Sequence, residues 1–108
     1  MHHEVSNALA AASLVRASGE KTLLVVTTGP GCVNAMTGIL GAWQDSVPLL
    51  ILSGQVRSNF TSYKLNVRQK GTQEAKILDI VKPITKKTFL INSEKQILNI
   101  IDKADELS

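Results

Sequence analysis

The sequence predicts an α/β fold built on a parallel sheet. Thr22–Thr27 (TLLVVT), rich in β-branched residues, and Pro48–Leu52 (PLLIL) are short and continuously apolar. Runs of that kind, without in-and-out alternation, read as strands buried on both faces. Around them lie segments whose apolar residues recur every three or four positions, which is a helical period. Strands alternating with helices imply parallel pairing, with helices covering both faces of the sheet.

The elements follow in order. Val5, Ala8, Leu9, Ala12 and Val15 share one face of a helix over residues 5–18, and Gly19 ends it. Its alanine content lets a neighbour approach closely. After the first strand, Gly29-Pro30-Gly31 turns the chain into a helix from about Cys32 to Asp45, in which Val33, Met36, Leu40 and Trp43 recur at helical spacing. The second strand ends at Ser53-Gly54, and a polar loop runs from Gln55 to Gly71. Thr72 is placed to cap a helix with Glu74 in its first turn and Pro83 as its stop. Lys87–Ile91 reads as a third strand. Ser93-Glu94-Lys95-Gln96 has the form of a capping box, opening a last helix with Ile97, Ile100, Ile101 and Ala104 inward. The expectation is three strands and four helices in a partial doubly wound sheet. A chain that opens on a helix and closes on one leaves bare sheet edges, so a piece of a larger α/β domain is expected.

Composition narrows the function. A length of 108 residues allows one domain, and 44% hydrophobic with 19% charged residues argues against disorder. No stretch approaches the about 18 consecutive apolar residues of a membrane span, and no signal peptide is legible. The single cysteine, Cys32, excludes an internal disulfide and a cysteine-based zinc site, and points to a reducing, cytoplasmic setting. The net charge of +3 owes much to residues 57–87, where Arg57, Lys64, Arg68, Lys70, Lys76, Lys82, Lys86 and Lys87 face only Glu74 and Asp79. Nucleic-acid surfaces interleave aromatics with such cations, and here only Phe60 and Tyr63 do so. A solvated or anion-facing surface is expected, with neither a nucleic-acid nor a membrane partner.

Ligands of parallel sheets bind beyond the carboxyl ends of the strands. Those positions are Thr28–Asn34, Ser53–Arg57 and the segment after Ile91. Cys32, at a helix start, is either a nucleophile or a small core residue. His2-His3-Glu4 lacks the spacing of a helical metal site. Gly29-Pro30-Gly31 resembles a phosphate cradle but lacks the third glycine of the dinucleotide fingerprint and the lysine of the P-loop. On the residues alone, Glu4 reads first as an acid favoured by a helix N-terminus.

Taken together, the short segments carry more. His3-Glu4, Arg16-Ala17-Ser18-Gly19, Thr27-Thr28-Gly29-Pro30-Gly31 with Asn34, Asp45-Ser46-Val47-Pro48, Ser53-Gly54-Gln55-Val56 and Gln73-Glu74 fall in one order. That order resembles the pyrimidine-binding, N-terminal domain of thiamine diphosphate-dependent enzymes of the acetolactate synthase type. Leu65–Gln69 and Lys82–Lys86 lean toward members from sugar or surface-polysaccharide pathways.

The resemblance implies a partial thiamine diphosphate pyrimidine-binding domain over residues 1–108, its first strands and closing strand lying elsewhere. It also implies a fragment of a 2-keto acid decarboxylase or carboligase. Glu4 would bond N1′ of the cofactor's aminopyrimidine and activate it, with burial raising the carboxyl pKa. Pro30 and Asn34 would line the pyrimidine pocket, and Gln73 would reach toward the reacting carbon. Gln55 would lie near an interface. No metal ligand is implied in this chain. Magnesium and the diphosphate would be held by the diphosphate-binding domain of a second subunit, within a homo-oligomer. Leu14 stands where the family commonly has Tyr, and Thr72 where several members have Phe, which bears on the choice of acceptor. The alternative is a non-catalytic remnant, or a dimerising or regulatory α/β subunit.

Overall fold

The computed structural model describes residues 2–108. Its elements are α1 (Glu4–Ser18), β1 (Leu23–Val26), α2 (Pro30–Gln44), β2 (Leu50–Ser53), α3 (Ile77–Val81) and α4 (Ile97–Leu107), with 3-10 turns at Ser58–Phe60, Lys82–Ile84 and Glu94–Gln96. The α/β alternation is as expected through β2. β1 and β2 pair in parallel, with Leu23 beside Leu50, Val25 beside Leu52 and Val26 beside Ser53.

The third strand does not form. Lys87–Ile91 carries no strand pairing among the described residues, and the sheet has two strands. A parallel strand takes its backbone bonds wholly from a neighbour, so an apolar run lacking one stays irregular. This part of the chain is tied instead to α4, where the Lys86 ammonium donates to the Leu107 carbonyl at 2.8 Å.

Burial on both sheet faces is also corrected. Leu24 and Val26 are buried, whereas Leu23 and Val25 are 53% and 55% exposed. Both α1 and α2 pack on the Leu24–Val26 side, in one core of Ala8, Ala11, Leu24, Val26, Cys32, Ala35, Ile39, Ile77 and Val81. On the other side Leu23, Val25 and Leu52 are 53%, 55% and 41% exposed, so helices covering both faces are not seen among the described residues. α4, expected to bury one face, contributes no buried residue. It is pinned at its end by an ion pair between Lys21 and Asp105 at 3.0 Å.

The helix pair explains which faces turn inward. Gly38 of α2 lies on Ala8 of α1 so closely that an added Cβ would stand 2.5 Å from the Ala8 methyl. α2 therefore buries its small face, Gly31, Cys32, Ala35, Gly38, Ile39 and Ala42. Of the residues spaced along α2, Val33, Leu40 and Trp43 are exposed, while Met36 is partly buried against the core. In α1, Ala11 is buried and Leu9 is exposed. Close backbone approach recovers more dispersion contact here than bulky side chains held apart. Gly19 ends α1 as expected, with a left-handed φ of 71° and its N–H bonded to the Val15 carbonyl at 2.8 Å.

The open face carries a prediction. Leu23, Val25 and Leu52 form an exposed apolar strip on adjacent parallel strands. Such a surface associates in water. The purified 108-residue chain is expected to sediment as concentration-dependent oligomers. A compact monomer at every concentration, melting cooperatively, contradicts this.

Candidate functional site

The site is assembled at the carboxyl end of β1. Gly29 has φ 62° and ψ −124°, a region that glycine alone visits without strain. A Cβ there would overlap the Gln73 carbonyl oxygen, so the strand-to-helix turn lies directly against the turn at residues 72–73. Pro30 then opens α2 at its first position, where a missing N–H costs nothing. Gly31 leaves the gap through which the start of α1 approaches: a Cβ would meet Thr27 Cγ2 at 2.5 Å and Glu4 Oε1 at 3.5 Å. One turn into α2, Asn34 Nδ2 donates to Glu4 Oε2 at 3.3 Å.

Glu4, Gly31 and Asn34 thus converge, although 30 residues separate the bonded pair. Pro30 and Asn34 are exposed at the rim, and Glu4 is half-buried. Gln73 is brought to the same place through its backbone, with a left-handed φ of 61°, while its side chain faces solvent. Its expected position in a helical first turn is corrected, since α3 starts only at Ile77 and Thr72 does not cap it.

The electrostatics of Glu4 reverse the expectation of a raised pKa. Its own backbone N–H and then the Asn34 amide hold the carboxyl below the usual range, with His3 adding slightly and partial burial opposing. The carboxylate is open enough for its hydrogen bonds to outweigh desolvation. Cys32 behaves in the opposite way. It is 1% exposed, and burial pushes its thiol up, with the Ser53 hydroxyl pulling weakly the other way. A sealed, protonated thiol is a core residue and no nucleophile. Among the described residues, no three His, Cys, Asp or Glu side chains gather as a metal site.

Three features, at positions the sequence marks, are decided only by the fold. The Thr28 hydroxyl is buried and has no hydrogen-bond partner among the described residues. The sequence marks Thr28 as the first residue of the segment beyond the first strand. Gln55 ties the segment after β2 to the one before α3, donating to the Ala75 carbonyl at 3.1 Å. Glu74 gathers the intervening loop, accepting from Ser62 N–H at 2.5 Å, Ser62 hydroxyl at 2.9 Å, Lys70 N–H at 2.9 Å and Gly71 N–H at 3.3 Å. The capping role given to Ser93 also changes. Ser93 makes no side-chain cap, and Gln96 accepts from the Asn92 N–H at 3.1 Å.

Glu74 yields a pH prediction. The Ser62 backbone N–H above all, then those of Lys70 and Gly71 with the Ser62 hydroxyl, hold its pKa down to about 2 from 4.5. A depressed folded-state pKa gives stability that is complete above the unfolded value and is lost as pH falls toward the folded one. The loop is therefore expected to loosen between about pH 4.5 and pH 2. Hydrogen exchange at the Ser62, Lys70 and Gly71 amides, extrapolated to a common intrinsic rate, should accelerate across that window. Glu74→Gln should remove the dependence.

A buried Thr28 hydroxyl without a partner and the hydrogen-bonded Glu4–Asn34 pair beside Gly31 thus stand together beyond the carboxyl end of β1. In parallel α/β folds that position is where small-molecule ligands bind. The family follows from comparison. Residues 1–83 match the family described as "Thiamine pyrophosphate enzyme, N-terminal TPP binding domain", and the chain belongs to that family. It is 38% identical over 104 residues to the acetolactate synthase isozyme 3 large subunit of Escherichia coli, covering 96% of this chain and 17% of that protein. It is 38% identical over 102 residues to the acetolactate synthase large subunit of Lactococcus lactis, covering 94% of this chain and 17% of that protein. A probable acetolactate synthase large subunit of Methanocaldococcus jannaschii is 37% identical over 106 residues, again 98% of this chain and 17% of its own. The chain thus spans about a sixth of the length of these relatives.

Proposed function

We propose that this chain supplies the pyrimidine-side half of the active site in a thiamine diphosphate-dependent enzyme of acetolactate synthase type, acting on 2-keto acids. The observation that carries the reading is the Glu4–Asn34 hydrogen bond beside Gly31, inside the segment matched by the family. When bound, the cofactor supplies the electron sink that decarboxylation of a 2-keto acid requires. The Glu4 carboxyl donates a hydrogen bond to the pyrimidine ring nitrogen, which carries a lone pair and no hydrogen, and gives up and takes back a proton there. Asn34 fixes the carboxylate so that little reorganisation accompanies that transfer. The Thr28 hydroxyl finds a partner in the bound ligand, Pro30 forms an apolar wall, and Gln73 borders the space for the reacting carbon. Magnesium and the diphosphate fall to a diphosphate-binding domain of a second subunit.

The test replaces the matched segment of the Escherichia coli large subunit with these 108 residues. Acetolactate formation by the grafted enzyme is the expected result. A folded, cofactor-loaded graft that forms no product overturns the reading. The 108-residue chain alone, given thiamine diphosphate, magnesium and pyruvate, is expected to form no acetolactate. Its Pro30, Asn34 and Gln73 side chains face open solvent, so water is not excluded from the cleft. Turnover by the isolated chain contradicts this. The second reading, a non-catalytic dimerising subunit, draws on the bare Leu23–Val25–Leu52 face, and an active graft defeats it.

A further inference from the structure

The loop between β2 and α3 is built around an open pocket of about 420 Å³, lined by Val56, Arg57, Phe60, Lys70, Gly71 and Thr72. Its walls are held in place. The Glu74 carboxylate ties Lys70 and Gly71 to Ser62, and Gly71 is buried where a Cβ would stand 2.9 Å from Val56 Cγ2 and 3.0 Å from the Phe60 carbonyl oxygen. Lys70 is oriented twice, donating to the Asn59 carbonyl at 2.6 Å and lying 5.9 Å from the centre of the Phe60 ring. An ammonium has three donors, so this leaves two for a ligand. Arg57 has no ion-pair or hydrogen-bond partner through its guanidinium among the described residues. The one acid nearby, Glu74, has its oxygens occupied by the loop's own donors. The pocket therefore joins two cations to an apolar floor of Val56 and Phe60.

The chain joins this pocket to the turn that packs on Gly29. Thr72 precedes Gln73, whose carbonyl packs on Gly29, and Val56 follows Gln55, which is bonded to Ala75. We infer that Arg57 and Lys70 form an anion-recognition subsite at the mouth of the cleft, for a carboxylate or phosphate carried on a small organic substrate. Arg57 offers a planar fork to two oxygens and Lys70 a point charge, while the Phe60 ring takes the adjoining carbon chain. As the docking point of a substrate for the neighbouring cleft, the subsite rests on the function proposed above. Anion binding itself does not.

Equilibrium dialysis of the 108-residue chain, at constant ionic strength in chloride, reads binding whatever the state of association. The probes are radiolabelled pyruvate and inorganic phosphate, which separate the two sources of the anion. Saturable binding of either probe at one site per chain is expected. Arg57→Ala and Lys70→Ala should each weaken it roughly tenfold or more, the scale of a hydrogen bond to a charged group. Lys82→Ala, which removes the same charge outside the pocket, should leave it unchanged. Non-saturable uptake, or equal losses in all three variants, reduces the pocket to diffuse charge and overturns the inference. Tighter binding of a single-stranded oligonucleotide with the same variant pattern overturns it too. In the grafted enzyme, Arg57→Ala should raise the KM for the keto acid more than it lowers kcat. An inactive graft with intact anion binding defeats the proposed function and leaves the subsite standing.

Discussion

Glu4→Gln in the grafted enzyme is expected to slow exchange of the cofactor's C2 proton by roughly 10²–10⁴-fold, the usual cost of losing a general acid or base. Gln preserves the shape and still accepts from Asn34 Nδ2, now bonded at 3.3 Å, but cannot hold a proton at neutral pH. Cofactor affinity should change much less, because the diphosphate and magnesium are held elsewhere. If Glu4 only favoured the start of α1, the substitution would cost about 0.3–1 kcal/mol of stability and leave exchange untouched. Quenched-flow NMR of the bound cofactor separates these outcomes, and an unchanged rate removes Glu4 from the chemistry.

Gly29→Ala should be nearly as damaging, through geometry alone. A side chain at φ 62° and ψ −124° is strained, and its Cβ would overlap the Gln73 carbonyl, a backbone atom that cannot swing aside. Strain and overpacking together cost roughly 2–4 kcal/mol, relieved by pushing the turn at residues 72–73 away from the cleft. Displacement of about 1 Å at a reacting site costs on the order of 10²-fold in rate. The grafted enzyme is expected to lose about that much in kcat/KM. Gly41→Ala is the control, since a Cβ there meets nothing within 4 Å. Alanine inside α2 should raise stability by about 0.4–1 kcal/mol and leave the rate alone. Equal losses in both variants would show that the Gly29–Gln73 contact does not position the site.

The legible parts of the molecule are those written in neighbouring residues. α1 with its glycine stop, β1, α2 and β2 follow from local period, apolar runs and Gly-Pro-Gly chemistry, each decided within about ten positions. The residues of the cleft were legible for another reason, the ordered short segments from His3-Glu4 to Gln73-Glu74. Physical reading of Glu4 or Asn34 alone favours a helix-end acid and a helix polar residue, and only the ordered set points to a site.

What the tertiary structure alone decided is what depends on distant partners. The sequence marks Lys87–Ile91 as apolar enough for a strand, but a strand exists only where another backbone lies beside it, and none does among the described residues. Two strands were rightly seen as apolar throughout, yet both helices pack on the Leu24–Val26 side and leave Leu23 and Val25 bare. α2 shows two plausible inward faces, and contact between Gly38 and Ala8 selected the small one because it brings the backbones together. Glu74 looks like a helix-start acid until Ser62, Lys70 and Gly71 converge on it, a geometry set by closing the loop. The direction of the Glu4 pKa was decided in the same way. Local sequence supplied the carboxyl group, and the fold determined that donors from its own helix start and from Asn34 outweigh its partial burial.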